Sequence, residues 1–90
     1  MKINNGVDVR FSFNSYGVLS REFVDIVEKT LFHLPCTPII GMRIDLIDFK
    51  DQMGLNEKYF NKFGDEDTYF EFGDSIYIYP DHLLIILFES

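Results

Sequence analysis

Two spacings in this sequence bring together residue types that could do chemistry. His33 and Cys36 stand as H-x-x-C, and an imidazole beside a thiol is one way to hold a reactive thiolate. Nothing supplies a third partner or an oxyanion site. His33 therefore reads as a helix C-terminal residue favoured by the dipole, and Cys36 as a small apolar residue between two prolines. Asp45, Asp48 and Asp51 recur at every third position, a spacing that on a helix would make a carboxylate face. The extended pattern around them sends Asp45 and Asp48 to opposite sides, leaving an acidic surface stripe rather than a catalytic pair. His82, beside Asp81, reads as a turn residue. The chain has no G-x-G-x-x-G, P-loop, G-x-S-x-G or C-x-x-C, so no enzymatic activity and no cofactor are expected.

A second group of carboxylates suits binding better than reaction. Asp65, Glu66 and Asp67 precede one apolar run, and Asp81 sits in a turn after another. If the intervening chain folds into a hairpin, these acids meet at one end of a sheet, bordered by Tyr69 and Tyr79. Carboxylates rimmed by tyrosines make a seat for Lys or Arg side chains of a partner. An EF-hand loop needs alternating ligands, a central glycine and a closing glutamate, and that spacing is absent, so no metal is expected. The plainer alternative is a set of solvated loop acids.

These residues would be positioned by the stretch Thr68–Phe88, TYFEF-GDS-IYIY-PDH-LLIILF, which reads as an antiparallel meander of strands 68–72, 76–79 and 83–88. A three-residue loop at Gly73-Asp74-Ser75 sets Phe70 and Phe72 beside Ile76 and Ile78 on one face. Treating Pro80-Asp81-His82 alike adds Leu84 and Ile86 to that face. Tyr69, Glu71, Tyr77, Tyr79, Leu83, Ile85 and Leu87 then share the other, a surface too apolar to stay bare. Either Phe49, Leu55, Phe60 and Phe63 fold over it, or it is an interface.

Upstream, Val7, Val9, Phe11 and Phe13 alternate with polar residues as a half-buried strand. Asn14-Ser15-Tyr16-Gly17 supplies a turn. Ser20 is placed to cap a helix, with Leu19 and Val24 as a staple, and Phe23, Ile26, Val27, Thr30, Leu31 and Leu34 follow on one stripe up to Pro35. An extended segment covers 40–48, Asp48–Gly54 is turn-like, and Asn56 caps a short helix ending at Gly64. The expected fold is one α+β domain over residues 1–90. It has a single mixed or antiparallel five-stranded sheet in the order β-α-β-(α)-β-β-β, with the meander at its C-terminal end and one long helix on one face. Strand 83–88, apolar on both faces, should be central and next to 7–13.

Charge narrows the partner class. The net charge is −7. Residues 1–43 carry five Lys/Arg and four Asp/Glu, whereas 44–90 carry three and eleven, a balance of −8. Such a surface repels a phosphate backbone and attracts a basic protein. The absence of a long apolar run and of a leader-like N-terminus, together with a single cysteine, leads to a cytoplasmic protein without membrane contact. The expectation is a small acidic protein-binding module. It would be an inhibitor or antidote occluding a basic, nucleic-acid-binding type of surface, by analogy of type with phage anti-defence and immunity proteins. Its contact residues would be Asp65, Glu66, Asp67, Tyr69, Glu71, Asp74, Tyr77, Tyr79 and Asp81. The alternative is a structural homo-oligomer, such as a homodimer, assembled through the tyrosine and aliphatic face.

Overall fold

Strand β1, Val7–Phe13, keeps the alternation of its sequence: Val9, Phe11 and Phe13 are buried, and Asp8, Arg10 and Ser12 are not. The computed structural model describes residues 6–14, 20–61 and 68–89. Ser15, Tyr16, Gly17, Leu19, Phe63, Gly64, Asp65, Glu66 and Asp67 lie outside that set.

Helix α1, Arg21–Lys29, begins where Ser20 Oγ accepts the Phe23 N–H at 3.2 Å, and it buries Phe23, Val24 and Val27. It ends well before Pro35. Thr30 is already extended at φ −80° and ψ 133°, with its Oγ1 donating to the Ile26 carbonyl at 2.7 Å. The expected continuation of the helical stripe is instead β2, Phe32–Leu34, antiparallel to β1 with Val9 opposite Phe32 and Val7 opposite Leu34. Leu34 fits both a helical and an alternating pattern. The backbone of β1 decides between them, because pairing there buries Phe32 and Leu34 while Leu31 stays 48% exposed.

The segment expected as strand 40–48 is extended only over β3, Arg43–Asp45. Asp45 then caps a 3-10 helix, Leu46–Phe49, accepting the Ile47 N–H at 3.2 Å. The turn expected at 48–54 is helical as well: α2 covers Lys50–Met53 and closes on Gly54, whose φ of 73° suits glycine. Leu46, Phe49 and Met53 carry the helical spacing. Leu46 is fully buried, and Phe49 meets Phe32 edge-on at 6.2 Å. Helix α3, Glu57–Phe60, starts at Asn56, whose side chain accepts the Tyr59 N–H, and Phe60 packs edge-on against Phe23 at 5.9 Å. Burial raises the Tyr59 phenol above its ordinary value, the Glu22 charge adds to this, and a hydrogen bond with Ser20 opposes it.

The C-terminal third contains the main correction. No hairpin forms at 73–75. A single strand β4, Tyr69–Ile78, runs through Gly73-Asp74-Ser75, which is a bulge opposite β5, Leu83–Glu89. The two strands pair as Phe72 with Leu87 and, beyond the bulge, Ile76 with Ile85 and Ile78 with Leu83. Tyr79 N–H donates to His82 O at 2.9 Å, so the connecting loop is the two residues Pro80-Asp81. One residue fewer than expected in that loop exchanges the faces of β5. Ile85 and Leu87 are therefore the core residues, at 0% and 1% exposure, and Leu84 and Ile86 are not. Phe70 and Phe72 are buried as expected, but Ile78 lies past the end of the core and is 83% exposed.

The fold is α+β: one mixed, curled five-stranded sheet in the order β2-β1-β5-β4-β3, with short helices. Strand β5 is central and parallel to β1; β4 and β5 form one antiparallel C-terminal hairpin, and β3, from the middle of the chain, lies antiparallel to β4 where the expected meander had a third C-terminal strand. The curl matters because the 46–53 segment links its two outer strands. It leaves β3 directly and carries Gln52, whose carboxamide pairs with the edge of β2. His33 N–H donates to Gln52 Oε1 at 2.7 Å, and Gln52 Nε2 donates to His33 O at 3.2 Å. A side chain thus fills the place of a sixth strand at that edge. On β1, Glu28 of α1 accepts from the Phe13 N–H and from Ser12 Oγ.

Candidate protein-docking face

Both layers of helix pack on one side of the sheet. Phe23, Val24 and Val27 of α1, Leu46 and Phe60 join Phe11, Phe32, Phe72 and Ile85 in a single core. Phe49 and Leu55 pack against that same core, so the residues expected to fold over the tyrosine face are committed elsewhere. Phe63 lies outside the described residues. The opposite side of the sheet carries Leu84, Ile86 and Phe88 of β5, half-buried, beside Tyr77 and Tyr79, at 51% and 47% exposure, and Tyr69 at 46%. None of these belongs to the core cluster. This is the expected tyrosine face, with Leu84, Ile86 and Phe88 in place of Leu83, Ile85 and Leu87.

Phe88 is held by the bulge. It is opposite Glu71, and its ring occupies the place where a Cβ on Gly73 would stand. A glycine in the bulge lets the ring approach the backbone of β4 closely, and Gly73 itself is buried. Asp74, in the same bulge, is exposed.

At the hairpin end, the Tyr79 ring stacks on His82 with centroids 4.9 Å apart and planes 9° from parallel. His82 Nδ1 lies 2.7 Å from Asp81 Oδ1, and the His82 side chain is only 17% exposed. That hydrogen bond holds the Asp81 carboxyl below the usual carboxylate range, and the Asp81 backbone N–H and the Arg10 charge act in the same direction. Tyr77, opposite Leu84, completes the group. Arg10 is also opposite Leu84, across β1, and its guanidinium donates to the Lys29 carbonyl at 3.3 Å.

The other end of β4 carries a separate group. Tyr69 is opposite Asp45, and Glu71 is opposite Arg43, with Nε and Oε1 3.8 Å apart. Allowing for the two residues taken up by the bulge, Tyr69 and Tyr79 are about eight strand steps, roughly 25 Å, apart at about 3.3 Å per residue. The expected gathering of Tyr69, Tyr79 and Asp81 at one tip is thus replaced by two groups joined by the Leu84-Ile86-Phe88 strip. Asp65, Glu66 and Asp67 lie outside the described residues, and Thr68, which follows them, is at the end away from Asp81.

Arg10, His82 and Phe88 are parts of this face that sequence reasoning did not select. The alternation of β1 marks Arg10 as lying on the non-core side, and the two-residue loop would have brought in His82 and Phe88. His33 is not at a helix end. It lies on β2, with Nδ1 2.9 Å from Asp8 Oδ1. Cys36 is exposed rather than tucked between prolines. Among the described residues, no three His, Cys, Asp or Glu side chains form a group that could hold a metal. None of the described helices is long and apolar enough to cross a membrane.

No family model, no curated protein and no solved structure matches this chain.

Proposed function

We propose that this chain is a protein-binding module whose docking surface is the face of the sheet opposite the described helices. The supporting observation is that Leu84, Ile86 and Phe88 lie among exposed tyrosines on the side to which no described helix is committed. Aromatic and aliphatic side chains of this kind form the dry centre of protein interfaces, and tyrosine suits a surface that is alternately wet and dry. The partner we propose is basic, steered by the net charge of −7, and the outcome is occlusion of its functional surface, as an inhibitor or antidote would act. Glu71, Asp74 and Asp81, with Asp65, Glu66 and Asp67, supply the charge, and Tyr69, Tyr77 and Tyr79 the contact. A cytoplasmic setting goes with this reading, the single cysteine being a free, exposed thiol.

Capture on immobilised protein at low and high salt tests the proposal. A basic partner retained at low salt should be lost by the Ile86→Glu variant at any salt, and held less tightly by a triple reversal of Asp65, Glu66 and Asp67 to Lys. A partner held equally by both variants discards the docking surface.

A second reading has its own support. On the face itself Arg43 lies 3.8 Å from Glu71, the Arg10 charge is felt at Asp81, and Asp8 at its margin is paired with His33. Two copies could therefore meet there without the repulsion that their overall charge implies. Light scattering separates the readings. A dimer dispersed by Leu84→Glu would mean self-association, and a monomer at all concentrations leaves the basic partner.

A further inference from the structure

Strand β4 is covered along only part of its outer edge. β3 pairs with it no further than Phe72, whose N–H donates to Met42 O at 2.7 Å and whose carbonyl accepts the Gly41 N–H at 3.1 Å, and past that point no described strand lies beside it. Tyr79 donates to His82 on the β5 side, and the register of Ile76 with Ile85 and Ile78 with Leu83 runs unbroken up to it, so the backbone groups of Ile76 and Ile78 point away from β5. We propose that this open edge, residues 75–79, takes an extended segment of a partner chain as a further strand, with a Lys or Arg of that segment beside Asp74. The edge is distinct from the sheet face, and only the sign of the flanking charge rests on the basic partner proposed above.

Backbone sets the kind of occupant. N–H and C=O groups presented by alternate residues of an extended strand match the edge of another extended strand. Side chains set its character. The stretch Ser75-Ile76-Tyr77-Ile78-Tyr79 has no charge and none of the lysines or prolines that guard an exposed edge. Ile78 is 83% exposed, so β-branched residues suit the added strand. Charge selects a basic segment over a second copy. Asp74, where the edge begins, is exposed and in no ion pair among the described residues, whereas Asp81 beyond its far end is hydrogen-bonded to His82 and feels the Arg10 charge. A two-fold pairing of copies that uses both isoleucines sets Ile76 against Ile78 of the copy, and Asp74 against its Pro80, next to its Asp81. Asp74 then gains no cation, and two molecules of net charge −7 are brought together. A segment carrying Lys or Arg meets neither objection.

Amide exchange and NMR titration of the intact protein with the capped peptide Lys-Val-Thr-Val-Thr-Val-Lys test this. In the free protein the Ile76 and Ile78 amides should exchange faster than those of Tyr77 and Tyr79, which face β5. The peptide should shift and protect Ile76 and Ile78, saturating in the millimolar range. Its backbone N-methylated form should not bind, and its Glu-flanked counterpart should bind more weakly. Ile78→Pro removes an outward N–H and none that faces β5, so it should abolish binding with the Leu87 signals unmoved. Asp74→Asn should weaken the peptide about two- to fivefold, the range of a surface ion pair, whereas Asp25→Asn on α1, with the same change in net charge, should not. No saturable shift at Ile76 and Ile78, binding of the N-methylated peptide, or equal effects of the two aspartate variants would each overturn the proposal. Self-association that protects Ile76 and Ile78 would also overturn it, by making the occupant a second copy. No captured partner enters the titration, so its failure is separate from failure of the capture at the sheet face.

Discussion

Strand β5 presents apolar side chains to both sides of the sheet, and the two sides differ in everything but composition. Ile85 and Leu87 meet α1, the 46–60 segment and the phenylalanines of β1 and β4, and they lose essentially all contact with water. Leu84, Ile86 and Phe88 are outside that core, among their neighbours on β1 and β4, and are half-buried among the described residues. Residues of one type on one strand thus stand in two environments. One set makes the fold, and the other is the set proposed above for docking, its exposed apolar area interrupted by tyrosine hydroxyls.

The sharpest way to break this contrast is to truncate one residue from each side. Leu87→Ala should destabilise the protein by about 2–5 kcal/mol in urea unfolding, from lost transfer energy and the cavity left behind. Ile86→Ala should cost well under about 1.5 kcal/mol, because its side chain is already partly in water. Comparable losses for the two would mean that the outer face is covered in the isolated chain.

A smaller effect tests how the core side is closed. Gln52→Ala removes both side-chain bonds to the His33 backbone at the β2 edge. A loss of about 1–2 kcal/mol is expected, with faster amide exchange at His33, because an exposed edge can recover part of that energy from water. An unchanged exchange rate at His33 would show that the carboxamide does not hold the edge.

The smallest effect belongs to the hairpin tip. The folded-state pKa of Asp81 is depressed, so the stabilisation from its contact with His82 is present above the ordinary carboxylate pKa of about 4 and is lost as pH falls through the depressed value. Proton NMR should show the Tyr79 and His82 ring signals moving together below about pH 4, with the core signals still. Asp81→Asn should remove that step. Tip signals insensitive to acid would separate Asp81 from the stack.

How much of this was legible in the sequence follows from where local patterns compete. The fold class, a single mixed sheet, the central place of β5 beside β1, and the caps at Ser20 and Asn56 were readable, since each rests on alternation, double-sided apolarity or a capping side chain; the count of five strands agrees, although β2 was read as helix and 68–72 and 76–79 are the one strand β4. The faces of β5 were not. Gly73-Asp74-Ser75 carries strong turn chemistry, yet the bulge lets β4 continue. Pro80-Asp81 lacks the glycine or asparagine of a favoured two-residue loop, so the longer loop was the natural expectation. That single residue transferred Ile85 and Leu87 from the tyrosine side to the core. Phe32 and Leu34 belonged to a helix by spacing and to a strand by the open edge of β1, and only tertiary pairing could choose. For the candidate face, Tyr69, Tyr77 and Tyr79 were placed on the correct side because the alternation along β4 and into Tyr79 survives the bulge. Their separation into two groups was hidden, because it depends on a strand that does not turn.

Tyrosine nitration followed by peptide mass analysis tests the docking face most directly, since Tyr77 and Tyr79 stand on it and Tyr59 packs against the core on the other side. In dilute isolated protein Tyr77 and Tyr79 should react readily. With the captured partner bound, or at concentrations where copies associate, both should be protected together, with Tyr59 unchanged. Full reactivity of Tyr77 and Tyr79 in the bound or associated state would contradict the account.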